Sequence, residues 1–211
     1  MEIFKKCKVK NCENKVWEKS KKKGYCCKHY LQTYKYKKIL ERTRFDPNEI
    51  IDCGNYCKIC IYSGLGEQKE IALALIDKED LEKVKGYKWG LNGNGKKRYI
   101  YTRINKKIQL SLHQLIMGKP PVGYEIDHRD TNPLNNRKYN LRFVTHQQNV
   151  MNKKIKGYYW YKAYNKWSTK ICINGKEIHL GYFTDEQDAI KARREAEQKY
   201  FGEFAYKELI K

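Results

Sequence analysis

Apolar positions in this chain follow a two-residue period over most of its middle and end, with helical spacing in short intervals. The runs "IIDCGNYCKICIYS" and "QKEIALALI" are strand-like and separated by a glycine-containing turn. Asp77 follows, placed to cap a short charged helix in "KEDLEKVKGY". "KRYIYTRI" and "KIQLSLHQLI" alternate or are rich in β-formers, with "NGNGKK" and "NKK" supplying turn residues before them, and read as antiparallel sheet.

From Gly157 to Ala205 the pattern predicts three strands, "YYWYKAY", "KWSTKICIN" and "KEIHLGYF", then the helix "DEQDAIKARREAEQKYFG". In the second strand Trp167, Thr169, Ile171 and Ile173 share one face, while Ser168, Lys170, Cys172 and Asn174 share the other. On the third, Ile178, Leu180 and Tyr182 alternate with Glu177 and His179. Ala189, Ala192 and Ala196 give the helix a face that allows close approach to the first, more apolar side of the sheet. No internal repeat is evident.

Between these β-rich stretches, from Gly118, prolines and asparagines crowd a loop bracketed by the short strands "YEIDH" and "LRFV". Thr145 then starts a helix, with Gln148 completing a capping box and Asn149 just over one turn from the cap. This ββα order brings a carboxylate, an imidazole and an amide from separate elements to one place.

Length and charge narrow the reading. At 211 residues the chain accommodates one or two small domains or several modules, not one large core. Lysine and arginine outnumber aspartate and glutamate by 45 to 24, a net charge of +21 spread through the sequence, which implies a polyanionic partner. No stretch approaches the roughly 20 apolar residues of a membrane span, and the N-terminus lacks a secretory apolar run. The expected setting is intracellular and cytoplasmic, where eight cysteines are not a disulfide framework and their spacing is tested for metal instead.

Cys7-x4-Cys12 and Cys26-x2-His29 supply four ligands in pairs around a loop of thirteen residues, as tetrahedral zinc requires. So small a segment buries no core, and zinc would supply most of its folding free energy. Cys27 is not excluded by spacing, although the Cys-x2-His pair favours Cys26. Cys57 and Cys60 form a Cys-x2-Cys, but a strand sends them to opposite faces, and both read as small apolar residues along with Cys53.

At the ββα stretch, the Asp127 carboxylate and Asn149 amide oxygen suit a hard divalent cation such as Mg²⁺. His128, with an ordinary pKa of about 6.5, is mostly neutral at physiological pH and able to take a proton from an attacking water. These residues, "DHRDTNPLNNRKYNLRFVTHQQN", resemble the HNH (His-Me finger) homing endonucleases. The resemblance implies a single Mg²⁺ or Mn²⁺ on Asp127 and Asn149, His128 as general base, and Asn140 bracing the loop through backbone hydrogen bonds. It leaves the role of His146 open between ligand and phosphate contact. His113 in "SLHQLIMG" matches an upstream stretch of related enzymes that supports the site; as a lone histidine in an apolar run it reads as structural.

The segment from Gly157 to Ala205 resembles the Apetala/ethylene-response-factor type DNA-binding domain, through Lys-Trp, Leu-Gly-x-Phe, the alanine helix and Phe-Gly-Glu. The resemblance implies that the sheet contacts DNA through Tyr159, Tyr161, Lys170 and His179, with Lys162 and Lys166 near phosphates. Tyrosine and lysine stand where the plant members carry arginine, which gives stacking and phosphate contacts more weight.

The expected fold is α+β in small modules: a zinc-binding motif (1–45), a β-rich region (46–118), a ββα-metal nuclease core (119–154) and a three-stranded sheet with a helix (157–206). The expected function is a metal-dependent endonuclease acting on double-stranded DNA, a site-specific homing type from a phage or mobile element. As a monomer with one site it would nick. The alternative is a DNA-binding regulator retaining an inactive nuclease fold.

Overall fold

The computed structural model describes residues 5–43, 46–63, 67–92, 98–105 and 108–207. The glycine turn after Ser63, most of "NGNGKK" and "NKK", and residues 44 and 45 lie outside these ranges. Helix and sheet are mixed, and the sheets are small. They comprise β1 (Ile50–Asp52), β2 (Tyr56–Ser63) and β3 (Lys69–Asp77); β4 (Gly90–Asn92), β5 (Tyr99–Ile104) and β6 (Ile108–Ser111); the pair β7 (Tyr124–His128) and β8 (Leu141–Thr145); and β9 (Tyr158–Tyr161), β10 (Lys166–Ile173) and β11 (Lys176–Phe183). Helices α1 (Cys27–Tyr36), α2 (Leu81–Val84), α3 (Leu112–Met117), α4 (His146–Met151) and α5 (Glu186–Phe201) complete the set.

The chain divides into two compact units, one of Met1–Pro47 with Tyr62–Ile71 and one of Asn48–Ile61 with Ala72–Lys211. The first has almost no apolar interior: Cys7, Cys26 and Leu40 are its buried apolar residues among those described. The second holds two cores. Ile59, Ile61, Ile76, Trp89, Ile100 and Leu112 lead the larger, which also takes in Cys57 from the same face of β2; Cys60, on the other face, is buried as well. Ile171, Ala196, Phe201 and Ala205 form the smaller, between β10 and the α5 end of the chain.

Three local expectations are corrected. "KIQLSLHQLI" is not one strand: after β6 the chain turns into α3, because Ser111 and Gln114 form a capping box and Leu112 and Ile116, four residues apart, both bury in the larger core. Asp77 occupies the position before a helical turn, but its carboxylate caps nothing there; it accepts from Arg137 Nε at 2.8 Å and from the Lys138 backbone N–H at 2.7 Å. Tyr182 does not share a face with Ile178. The pairing runs Thr169 to Gly181 and then Lys170 to His179, so Leu180 is an inserted bulge residue that moves Tyr182 to the side of His179. Gly181 permits this at φ 138°, where a Cβ would stand 3.2 Å from the Phe183 ring.

Candidate active site

The hairpin β7–β8 sets Asp127 opposite Arg142 and His128 opposite Leu141. Thr145 ends the hairpin and caps α4: its Oγ1 accepts from the Gln148 backbone at 3.3 Å, and Gln148 Oε1 accepts from the Thr145 backbone at 2.8 Å. The helix thereby starts at a fixed place and lays Asn149 and Asn152 toward β7.

The asparagine-rich loop between the strands is held from both ends. Asn140, 2% exposed, accepts from the Asp130 backbone at 3.0 Å and donates to Asp130 Oδ1 and to the Asn135 carbonyl, each at 2.8 Å. The β-rich region supplies a platform: Leu75 on β3 donates to the Leu134 carbonyl at 2.8 Å and accepts from the Asn136 backbone at 2.9 Å. With the Asp77 bonds to Arg137 and Lys138, this ties the loop to the end of β3.

His128 is buried, and its Nε2 lies 3.2 Å from Asn136 Oδ1. Asn136 Nδ2 donates to the Pro133 carbonyl at 3.2 Å, so its oxygen is turned to the histidine and can only accept. Nε2 therefore carries the proton, and Nδ1 keeps the lone pair. Burial holds the His128 pKa below the ordinary histidine value, against the Asn136 bond and the charges of Asp130 and Asp127, which pull upward.

Asp127 is also buried, paired with Arg142 Nε at 2.9 Å. Asn152 Nδ2 bonds both carboxylate oxygens, at 3.1 and 3.0 Å, and the His128 carbonyl at 2.9 Å, while Asn152 Oδ1 is buried without a hydrogen-bond partner. Asn149 donates its amide N–H to Glu125, which also meets His146 Nδ1 at 2.9 Å, so the Asn149 oxygen is left to accept. A cavity of about 570 Å³ has Asp127, His128, Asn149, Asn152 and Tyr99 in its walls. Asp127 carboxylate, Asn149 oxygen and the orphaned Asn152 oxygen make an all-oxygen donor set, which fits a hard divalent cation.

His146 is exposed beside Glu125. His113 stands on α3 with its ring centroid 5.4 Å from that of His128 and edge-on to it. Burial, helped by the nearby His128, lowers the His113 pKa to about 4. Arg142, Asn152, Asn136 and Glu125 were not expected from sequence. Arg142 had a signal: antiparallel pairing of "YEIDH" with "LRFVT" places it across from Asp127. Asn152 had a weaker one, three residues beyond Asn149 and so on the same helical side.

In the other unit the ligand atoms of Cys7, Cys12, Cys26 and His29 all lie within 4.8 Å of one another. Cys7 Sγ and Cys26 Sγ are 3.3 and 3.4 Å from His29 Nδ1, and Cys12 Sγ is 3.9 Å from Cys26 Sγ. Tetrahedral zinc with bonds of about 2.0–2.3 Å needs ligand atoms about 3.3–3.8 Å apart; the two distances to His29 fall in that range, the Cys12–Cys26 distance lies just above it, and three thiols with one imidazole are a donor set suited to that ion. Cys27 is exposed and outside the group. At Cys7 burial pushes the thiol up, but hydrogen bonds from the backbone at Val9 and Cys26 and from His29 outweigh it and bring the pKa down to about 6.

On the C-terminal sheet Tyr159 and Tyr161 are exposed, and Tyr182 stacks on Tyr161 at 5.8 Å and meets His179 at a tilt, 4.5 Å between centroids. Lys162 lies in the turn after β9, Lys166 begins β10, and Lys170 pairs with Glu177 at 2.7 Å. Tyr164, in the same turn as Lys162, joins this aromatic cluster 4.9 Å from Tyr182 and was not expected there.

A family described as HNH endonuclease matches residues 113–151. The chain is 34% identical over 129 residues to an HNH endonuclease of Acanthamoeba polyphaga mimivirus, itself named as uncharacterized; the match covers 58% of this chain and 67% of that one. It is 37% identical over 68 residues to protein 3.8 of Escherichia phage T7, covering 28% of this chain and 56% of the phage protein. No solved structure matches the chain. Among the described residues no helix is long and apolar enough to cross a membrane.

Proposed function

Since the chain belongs to the HNH endonuclease family, we propose that it hydrolyses a DNA phosphodiester bond with His128 as general base, as a site-specific, homing-type enzyme of a phage or mobile element. The observation that carries this is the setting of His128: it is buried, its Nε2 meets the Asn136 oxygen at 3.2 Å, burial lowers its pKa and so favours the neutral ring, and it lines the cavity that Asp127 and Asn149 also line.

His128 Nδ1 takes the proton of a water whose oxygen attacks phosphorus. The bond to the 3′ oxygen breaks, solvent protonates that oxygen, and the ends are 5′-phosphate and 3′-hydroxyl. Asn136 orients the imidazole, and Asn140 holds the loop that carries Asn136. Asp127 and Asn149 would hold Mg²⁺ or Mn²⁺, which when bound offsets negative charge at the phosphate and the leaving oxygen. Arg142 and Asn152 fix the Asp127 carboxylate.

Zinc on Cys7, Cys12, Cys26 and His29 is assigned a structural role. Double-stranded DNA is the partner, and the outer sheet face with Tyr159, Tyr161, Lys162, Lys166, Lys170 and His179 is a second contact surface, carried by the resemblance of 157–206 to the Apetala/ethylene-response-factor domain. The division into 1–45, 46–118, 119–154 and 157–206 follows these roles, with 46–118 the platform of the catalytic loop.

The test is cleavage of supercoiled plasmid carrying candidate sites, with Mg²⁺ or Mn²⁺. Loss on chelation and a fall of about 10²–10⁴ in His128→Ala are expected; cleavage that survives both overturns the reading. Specific binding without cleavage under either metal favours a regulator instead.

A further inference from the structure

The active-site cavity is bordered by Lys153, Lys154 and Tyr206. Lys154 and Tyr206 also line a second cavity, of about 800 Å³, walled by residues 154–156, by α5 and by the segment that follows it. Among the described residues its lining carries Lys154, Lys156, Arg193, Arg194 and Lys207 and one acid, Glu197. Glu197 is already used, accepting from Arg193 Nε at 2.8 Å. Arg193 is buried, also donates to the Lys170 carbonyl, and lies against Gly157, where a Cβ would come within 2.6 Å of its guanidinium. These two residues build the wall. Lys154, Lys156, Arg194 and Lys207 are exposed around it. Lys156 stands 4.7 Å over the Tyr158 ring and 3.8 Å from Glu186, and Lys154 lies 6.0 Å from the Tyr206 ring.

Four exposed cations around one opening, connected to the catalytic cavity through shared walls, match a polyanion that continues past the point of cleavage. We propose that this cleft is a channel for the DNA backbone: a strand leaving the site passes Lys154 and Tyr206 and sets its phosphates against Lys156, Arg194 and Lys207. The proposal rests on the nuclease reading for its starting point. It gives the C-terminal module a backbone contact on its α5 side, away from the exposed tyrosine face of the sheet.

The experiment uses the full chain as His128→Ala, a fluorescent duplex and no divalent cation, with anisotropy measured across a salt series. Lys154→Gln, Arg194→Gln and Lys207→Gln combined should weaken binding at least tenfold and lower the slope of log K against log salt by about 2–3, near 0.9 per lost phosphate contact. An unchanged affinity and slope in the folded variant overturns the channel. As a second measurement, lysine acylation of the unmutated chain with saturating duplex should protect Lys156 and Lys207; full modification of both overturns it as well. Failure of the nuclease reading would appear separately, as absence of plasmid cleavage with binding through the cleft intact.

Discussion

Residues 5–43 and the β7–β8–α4 hairpin each gather ligand-type side chains, but different forces hold them in place. Among the described residues of the N-terminal unit, two of the three buried apolar ones are themselves candidate ligands, Cys7 and Cys26, and none of the three belongs to an apolar core cluster. At the hairpin every candidate ligand is fixed by protein: Asp127 by Arg142 and Asn152, Asn149 by Glu125, and the intervening loop by Leu75 and Asp77. A soft-ligand ion can stand in for a core. A hard-ligand site that must also admit substrate cannot depend on its ion for shape, so hydrogen bonds and a distant sheet shape it instead.

The strongest way to break this comparison is to remove the metals. Zinc binding to such sets carries about 10–16 kcal/mol of apparent folding free energy. Chelation should therefore abolish amide-exchange protection in 5–43 while amides of β7, β8 and α4 stay protected. Cys26→Ser should reproduce the loss and Cys27→Ser should not, since Cys27 is exposed outside the group. Equal loss of protection in both regions would show that the hairpin also depends on its ion.

Next in size is Arg142→Met. The pair with Asp127 is buried on both sides, at 7% and 8% side-chain exposure, and breaking such a pair costs about 3–5 kcal/mol by stranding one charge. Urea denaturation without divalent cation should show that loss. Mg²⁺ should restore part of it, because a cation on Asp127 replaces the missing positive charge. No recovery would argue against a cation at that carboxylate.

Much of this was legible in order and spacing. Strands "YEIDH" and "LRFVT", the Thr145–Gln148 cap and the Cys7, Cys12, Cys26, His29 set are local patterns, and local patterns survive into the fold. What escaped was set by tertiary pairing. Asp77 looks like a helix cap until Arg137 and Lys138, sixty residues away, arrive to take its carboxylate. Tyr182 looks core-facing by alternation until the Leu180 bulge turns it outward. The helix from Leu112 to Met117 is hidden because its apolar residues also suit a strand, and only burial of Leu112 and Ile116 against one core decides.

Asn152→Ala tests the same hydrogen-bond web at smaller cost. It leaves Asp127 and the His128 carbonyl each without one donor, a loss of about 1–3 kcal/mol. Cleavage should fall mainly through a higher metal requirement, read as the Mg²⁺ concentration at half-maximal rate; an unchanged requirement would make Asn152 a purely structural contact.

The smallest effect separates the two regions by pH. His113 has a folded pKa of about 4 against an unfolded value of 6.5, chiefly because burial disfavours its charged form. Between those values the unfolded chain binds a proton that the folded chain does not, so stability is complete above 6.5 and declines as pH falls through the window. From pH 6.5 to 5.5 the slope amounts to about 1 kcal/mol, and His128, shifted in the same direction, adds to it. His113→Gln should flatten the acid loss of the nuclease region by about that amount in denaturation at pH 5.5, with little change at pH 7.5. It should also leave the acid limb of the cleavage profile below pH 6.5, because that limb reports His128, whose depression is set first by its own burial. A limb that moves above 6.5 in this variant would mean that the neighbouring ring, and not burial, keeps the base neutral.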